Sequence, residues 1–169
     1  MNSPYCGKFK VTQTFKKAQH DGLDLVGIDS KDIHATAAGK VVFAGWENPD
    51  NFKQGFGQYV VILADGKYYH YGHLSELKVK KGDSVKITDV IGIEGSTGNS
   101  TGPHCHYCIR TSMSPGTFLD VNSISGIPNV LGGVYDDGYR PGVNKPEKKT
   151  VKVTLEYDDH KFSGLLEEI

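Results

Sequence analysis

Glycine divides this chain into short apolar runs, and that division constrains the fold more than any other feature. The 169 residues include 21 glycines. Between them, Gly39 to Gly45, Gln58 to Leu63, Lys67 to Gly72, Val90 to Glu94 and His104 to Arg110 are each short and rich in β-branched and aromatic residues. Runs of that length and composition, bounded by turn residues, predict strands. Ala64-Asp65-Gly66-Lys67 predicts a hairpin turn, because both central residues accept a positive φ. No segment keeps a helical period. The expectation is a mainly β domain with short strands and long loops, and loops on a rigid scaffold are where chemistry is usually carried.

The chain is long enough for one domain with its own core. Its net charge of −1 provides no general attraction for nucleic acid. No run approaches the roughly 18 apolar residues of a membrane span. Met1 to Lys10 lacks the apolar stretch of a signal peptide. Three cysteines, Cys6, Cys105 and Cys108, form no disulfide framework and are expected as free thiols. Residues 1–135 read as the main domain and 136–149, rich in Gly, Pro, Asp and Lys, as a linker. Residues 150–169 read as a small hairpin: Val151 to Tyr157, a turn over Asp158 to Lys161, and Phe162 to Leu166.

Chemistry concentrates in Gly102-Pro103-His104-Cys105-His106-Tyr107. Alternation along a strand points both imidazoles to one face. Two neutral imidazoles on one face supply half of a zinc site. Further donors stand in His20-Asp21-Gly22-Leu23-Asp24 and Tyr71-Gly72-His73-Leu74-Ser75. Three protein ligands with one open position make a catalytic rather than a structural site, where water is brought to a pKa of about 7.

Several segments, in order, resemble the lysostaphin/LytM-type zinc metallopeptidases over residues 11–128. They are His20-x-x-x-Asp24, Ala38 to Gly45, Tyr71-Gly72-His73-Leu74-Ser75, Val79 to Val85 with Ile91-Gly92, and Gly95 to His106. The resemblance implies an antiparallel β-sheet crossed by a groove. It also implies one Zn2+ per chain on His20, Asp24 and His106, with His73 and His104 as the catalytic pair. The implied activity is hydrolysis of peptide bonds in bacterial peptidoglycan, at stem-peptide crosslinks or interpeptide bridges. With no export signal visible, the expectation is synthesis in the cytoplasm and action on the cell wall after lysis or as part of a phage particle. Three roles stay open for the C-terminal hairpin: docking on the main domain, binding the wall, or joining a phage particle.

Two positions depart from the family pattern, which has Leu between the paired histidines and Glu two residues after the second. Cys105 and Cys108 stand there. Cys105 should face away from the metal, into the core. Cys108 shares the face of His104 and His106. Two roles stay open for it: replacing a carboxylate that orients a ligand, or binding zinc itself. His34, His70 and His160 match no motif and are read as non-ligands; His70, on the strand face opposite His73, is the one of the three expected nearest the groove. Trp46, Phe52, Phe56, Tyr68 and Tyr71 are candidates to line a peptide groove, as is the loop Asn48 to Gly57. Two other classes compete: a non-catalytic relative that binds the envelope, and a biotinyl- or lipoyl-type carrier, whose hairpins share the pattern of Val79 to Val85. The carrier reading lacks its modified lysine and leaves the histidines without a role.

Overall fold

The computed structural model describes residues 2–113 and 117–138 in full, and 150–157 and 160–167 as backbone strands. In chain order the strands are β1 (Lys8–Gln13), β2 (Leu23–Gly27), β3 (Asp32–His34), β4 (Gly39–Trp46), β5 (Gln58–Ala64), β6 (Lys67–Gly72) and β7 (Glu76–Leu77). There follow β8 (Ser84–Val85), β9 (Val90–Ile93), β10 (Cys105–Arg110), β11 (Phe118–Leu119), a one-turn helix α1 (Val121–Ser125), and β12 (Val134–Asp136). The hairpin strands are β13 (Thr150–Tyr157) and β14 (His160–Glu167). Among the described residues, a nine-stranded sheet runs β12-β1-β2-β10-β6-β5-β4-β8, with β11 also beside β10. A second sheet orders β3-β9-β7. Every pairing is antiparallel.

The five strands expected from sequence form within a residue or two of their expected ends. Asp65 and Gly66 take positive φ of 48° and 70°, as a two-residue hairpin turn between β5 and β6 requires. One apolar cluster joins both sheets: Leu23, Leu25, Val60, Ile62, Tyr71 and Tyr107 from the large one, Ile33 and Ile91 from the small one. Burying such side chains contributes about 1.5–3 kcal/mol each. The hydroxyls of Tyr71 and Tyr107 would be costly if unpaired there. Both meet Thr36 Oγ1, at 2.7 and 2.8 Å. Tyr71 is therefore a core residue, not part of the groove, because strand alternation turns it inward.

The ends of the domain extend beyond residues 11–128. Tyr5 and Phe9 are fully buried. The Tyr5 hydroxyl donates to Glu94 Oε2 (2.6 Å) and lies 2.9 Å from the Leu25 carbonyl. Glu94 also accepts from Gly27 N and Lys31 Nζ, so this buried carboxylate is paired. Asp136 belongs to β12 and pairs with Lys8; residues 139–149 of the expected linker lie outside the described residues. The hairpin differs from expectation at its turn: His160 and Lys161 are paired with Tyr157 and Glu156. That register leaves two residues between the strands, the length that best matches strand twist. Among the described residues no helix is long and apolar enough to cross a membrane.

Candidate metal centre

Register between β2 and β10 places Asp24 directly opposite His106. Opposed residues share a sheet face, so both side chains rise together. His20, just before β2, is turned in by a short loop closed by its backbone pairing with Lys16. Its Nδ1–H donates to the Thr14 carbonyl at 2.9 Å, which leaves Nε2 with its lone pair facing inward. His20 Nε2 lies 3.2 Å from Asp24 Oδ1 and 3.2 Å from His106 Nδ1. His106 Nδ1 lies 2.8 Å from Asp24 Oδ1. A tetrahedral zinc with bonds of about 2.0–2.1 Å separates its donors by roughly 3.3 Å. These three atoms therefore have the spacing and the chemistry to hold such an ion.

The electrostatics also favour positive charge at this point. Burial alone would raise Asp24, yet its contacts with His106 and His20 outweigh that and hold its carboxyl well below the usual range. Burial alone would lower His106; Asp21 and Asp24 overcome it and hold the imidazole well above its ordinary value.

His73 and His104 stand beside this trio. Their rings are 4.6 Å apart, and His104 Nε2 is 3.6 Å from Asp24 Oδ1. His73 lies past the end of β6 in a left-handed conformation, φ 64°. A non-glycine residue there is strained. It is held by Nδ1–H donation to the Thr97 carbonyl (2.7 Å) and by its backbone N–H on Phe56 O (2.8 Å). His104 Nδ1–H donates to the Gly102 carbonyl at 2.8 Å. Both rings thus keep Nε2 as the uncommitted nitrogen. Burial pushes His73 down to about 4, despite the Thr97 carbonyl, so it is neutral at pH 7.

A cleft of about 420 Å³ opens over these residues, lined also by Gln13, Glu47, Phe56 and Asn99. Its rim is made where the expected loop Asn48 to Gly57 meets the loop Gly95 to Gly102. Gly98, at φ 73°, packs against the backbone of Gly57, and Gly98 N donates to Phe52 O. A side chain at either glycine would collide with the other loop. Phe56 lines the cleft, whereas Trp46 and Phe52 are not among its lining residues and pack on each other at a tilt, ring centroids 4.3 Å apart.

Three residues sit differently from the sequence reading or were missed by it. His70 was placed opposite His73 by extending a regular strand. The strand stops at Gly72, and the left-handed turn at His73 breaks the alternation. His70 instead pairs with Cys108 and so shares the His106 face. Asp21 and Arg110 were not singled out. Arg110 lies two strand periods after His106, so alternation alone put it on that face. No local signal marks Asp21. Cys105 is buried in the core as expected, and Cys108 is fully buried too. His34 donates to the Thr88 carbonyl, in the smaller sheet; the side chain of His160 lies outside the described residues.

His70 has a measurable cost. It is 1% exposed, and neither ring nitrogen meets a hydrogen-bond partner among the described residues. Burial, and then the Arg110 charge, push it down to about 3. The unfolded chain binds a proton near pH 6.5 and the folded one does not until about pH 3. Stability from this group is therefore complete above pH 6.5 and is lost as pH falls toward 3. His70→Phe removes both costs. Its urea midpoint is expected to correspond to about 1–3 kcal/mol of added stability at pH 7.5, and about 2 kcal/mol more at pH 5. An unchanged difference between the two pH values would contradict the assignment.

Comparison with known proteins agrees with this geometry. Residues 18–117 match peptidase family M23. Glycyl-glycine endopeptidase ALE-1 of Staphylococcus capitis is 39% identical over 103 residues, 60% of this chain and 27% of that protein. Peptidoglycan DD-endopeptidase ShyA of Vibrio cholerae is 37% identical over 110 residues, 64% of this chain and 24% of that protein. The catalytic domain of the antimicrobial peptidase lysostaphin from Staphylococcus simulans has a TM-score of 0.57 and 31% identity, covering 70% of this chain and 90% of that one. This chain spans less than a third of the length of the curated relatives it matches. More than half of its residues fall inside the family match, and the chain belongs to peptidase family M23.

Proposed function

We propose that this chain is a zinc-dependent endopeptidase that hydrolyses peptide bonds in bacterial peptidoglycan, at stem-peptide crosslinks or interpeptide bridges. One observation carries the reading. Three donor atoms, His20 Nε2, Asp24 Oδ1 and His106 Nδ1, converge within 3.2 Å in an open cleft, next to two further histidines. His106 Nδ1–H donates to Asp24 Oδ1 here, and a bound cation would take the place of that proton. Two imidazoles and one carboxylate suit zinc. The substrate class is supported by the names of the relatives, a glycyl-glycine endopeptidase and a peptidoglycan DD-endopeptidase.

When bound, zinc supplies Lewis acidity that polarises a peptide carbonyl and eases deprotonation of water. His73 and His104 then do the proton work. Their Nδ1–H groups are committed to carbonyls, so each offers Nε2 to accept a proton or to donate one to a developing oxyanion. Phe56 gives the cleft an apolar patch beside the histidines.

The test is digestion of purified peptidoglycan from several wall types, with chelator and with zinc added back, read by mass spectrometry. New amine ends that disappear with chelator and return with zinc are expected. No cleavage of any wall by chain carrying one zinc would favour a non-catalytic envelope-binding module.

A further inference from the structure

His106 has a second nitrogen, and its surroundings are as specific as those of the first. Nδ1 faces Asp24, while Nε2 lies 3.0 Å from Asp21 Oδ1, an ion-pair contact in which the carboxylate stands off the line of the N–H. Asp21 Oδ2 in turn accepts from Arg110 Nη2 at 2.8 Å. The three side chains are 7%, 26% and 11% exposed, in the order His106, Asp21, Arg110. The close approach depends on Gly22. A Cβ at that position would fall 2.9 Å from His106 Nε2 and would press on the Tyr107 carbonyl. Any other residue there would push the start of β2, and Asp21 with it, away from the ring.

Two readings of this cluster compete. Asp21, His106 and Cys108 bring ligand atoms within 4.8 Å of one another, which would accommodate a second metal ion. Arg110 decides against it. Its guanidinium occupies the other oxygen of Asp21 and repels a divalent cation at this distance. A second ion would also have to share the His106 imidazole with the first. A carboxylate fixed by arginine on the outer nitrogen of a metal-binding imidazole has a different use. Its charge favours the N–H on that nitrogen, which leaves the inner one to bind metal and makes the ring a better donor.

We infer that Asp21, anchored by Arg110, is a positioning residue that orients His106 and keeps its Nδ1 lone pair directed into the metal site. The inference rests on the metal reading above. On this inference the orienting carboxylate comes from the entry to β2, while Cys108, buried beside Gly22, touches the same His106 ring.

Zinc titration against a competing chelator dye, with Co2+ absorption in parallel, tests it on the full chain. Wild type should bind one equivalent. Asp21→Asn should keep its circular dichroism but lose about 10–100-fold in zinc affinity, with a shifted Co2+ spectrum. Arg110→Gln should weaken binding by a smaller factor and in the same direction. In an Arg110→Gln background, Asp21→Asn should cost less than it does alone, since both act through the same contact on His106. Three results overturn the inference. One is wild-type affinity and an unchanged Co2+ spectrum in Asp21→Asn. Another is an equal loss with and without Arg110. The third is a second bound equivalent in wild type with a cysteine-to-cobalt absorption band that Asp21→Asn abolishes. A wild-type chain that binds no metal would instead overturn the reading beneath it.

Discussion

Asp24→Ala and His106→Ala are each expected to lose bound zinc and peptidoglycan hydrolysis together. Asp24 Oδ1 is the shared point of the site: it lies 3.2 Å from His20, 2.8 Å from His106 and 3.6 Å from His104. Its removal takes the one carboxylate among the three converging donors, and with it the charge that faces the ion directly. Removing His106 takes one of three donors and also strands Asp21 beside an empty position. Lewis-acid stabilisation is worth several kcal/mol, so hydrolysis should fall on the order of 10³-fold or more. Metal content after dialysis, measured beside release of peptide ends, checks this. Full zinc with full activity in either variant would show that the donor set is wrong.

His73→Ala and His104→Ala should separate the two properties. Neither ring belongs to the converging trio. Each should retain about one zinc and lose about 10²–10⁴-fold in turnover, the usual contribution of a positioned acid or base. The pair acts at one place, with rings 4.6 Å apart, so the double variant should lose much less than the product of the single losses. His73 sits at φ 64°, and alanine there keeps the strained backbone without the Thr97 hydrogen bond. Its loop should therefore loosen more than that of His104→Ala. Metal content with kcat and KM on a defined muropeptide separates the cases. Loss of zinc from both variants would make them ligands instead.

Much of the scaffold was legible because it is locally encoded. Val60 to Leu63 and Tyr68 to Tyr71 carry β-branched and aromatic residues between turn residues, and Asp65-Gly66 accepts the required φ. The short strands β7, β8 and β11 carry two residues each and leave no periodic trace. β1 does alternate, burying Phe9 and Val11, but its lysines mask it as loop-like. His70 was misplaced because strand alternation holds only while the strand lasts, and the left-handed turn at His73 ends it.

The chain by itself determined which donor types exist and their order, and that His104 and His106 share a face, because side-chain period is set by local backbone geometry. It likewise determined that Arg110 follows on the same face. Only the tertiary structure decided that Asp24 opposes His106, that Asp21 reaches the outer nitrogen of that ring, and that His73 turns back over the cleft. Those depend on strand register and on one close approach at Gly22, and register is settled by packing between segments more than 80 residues apart.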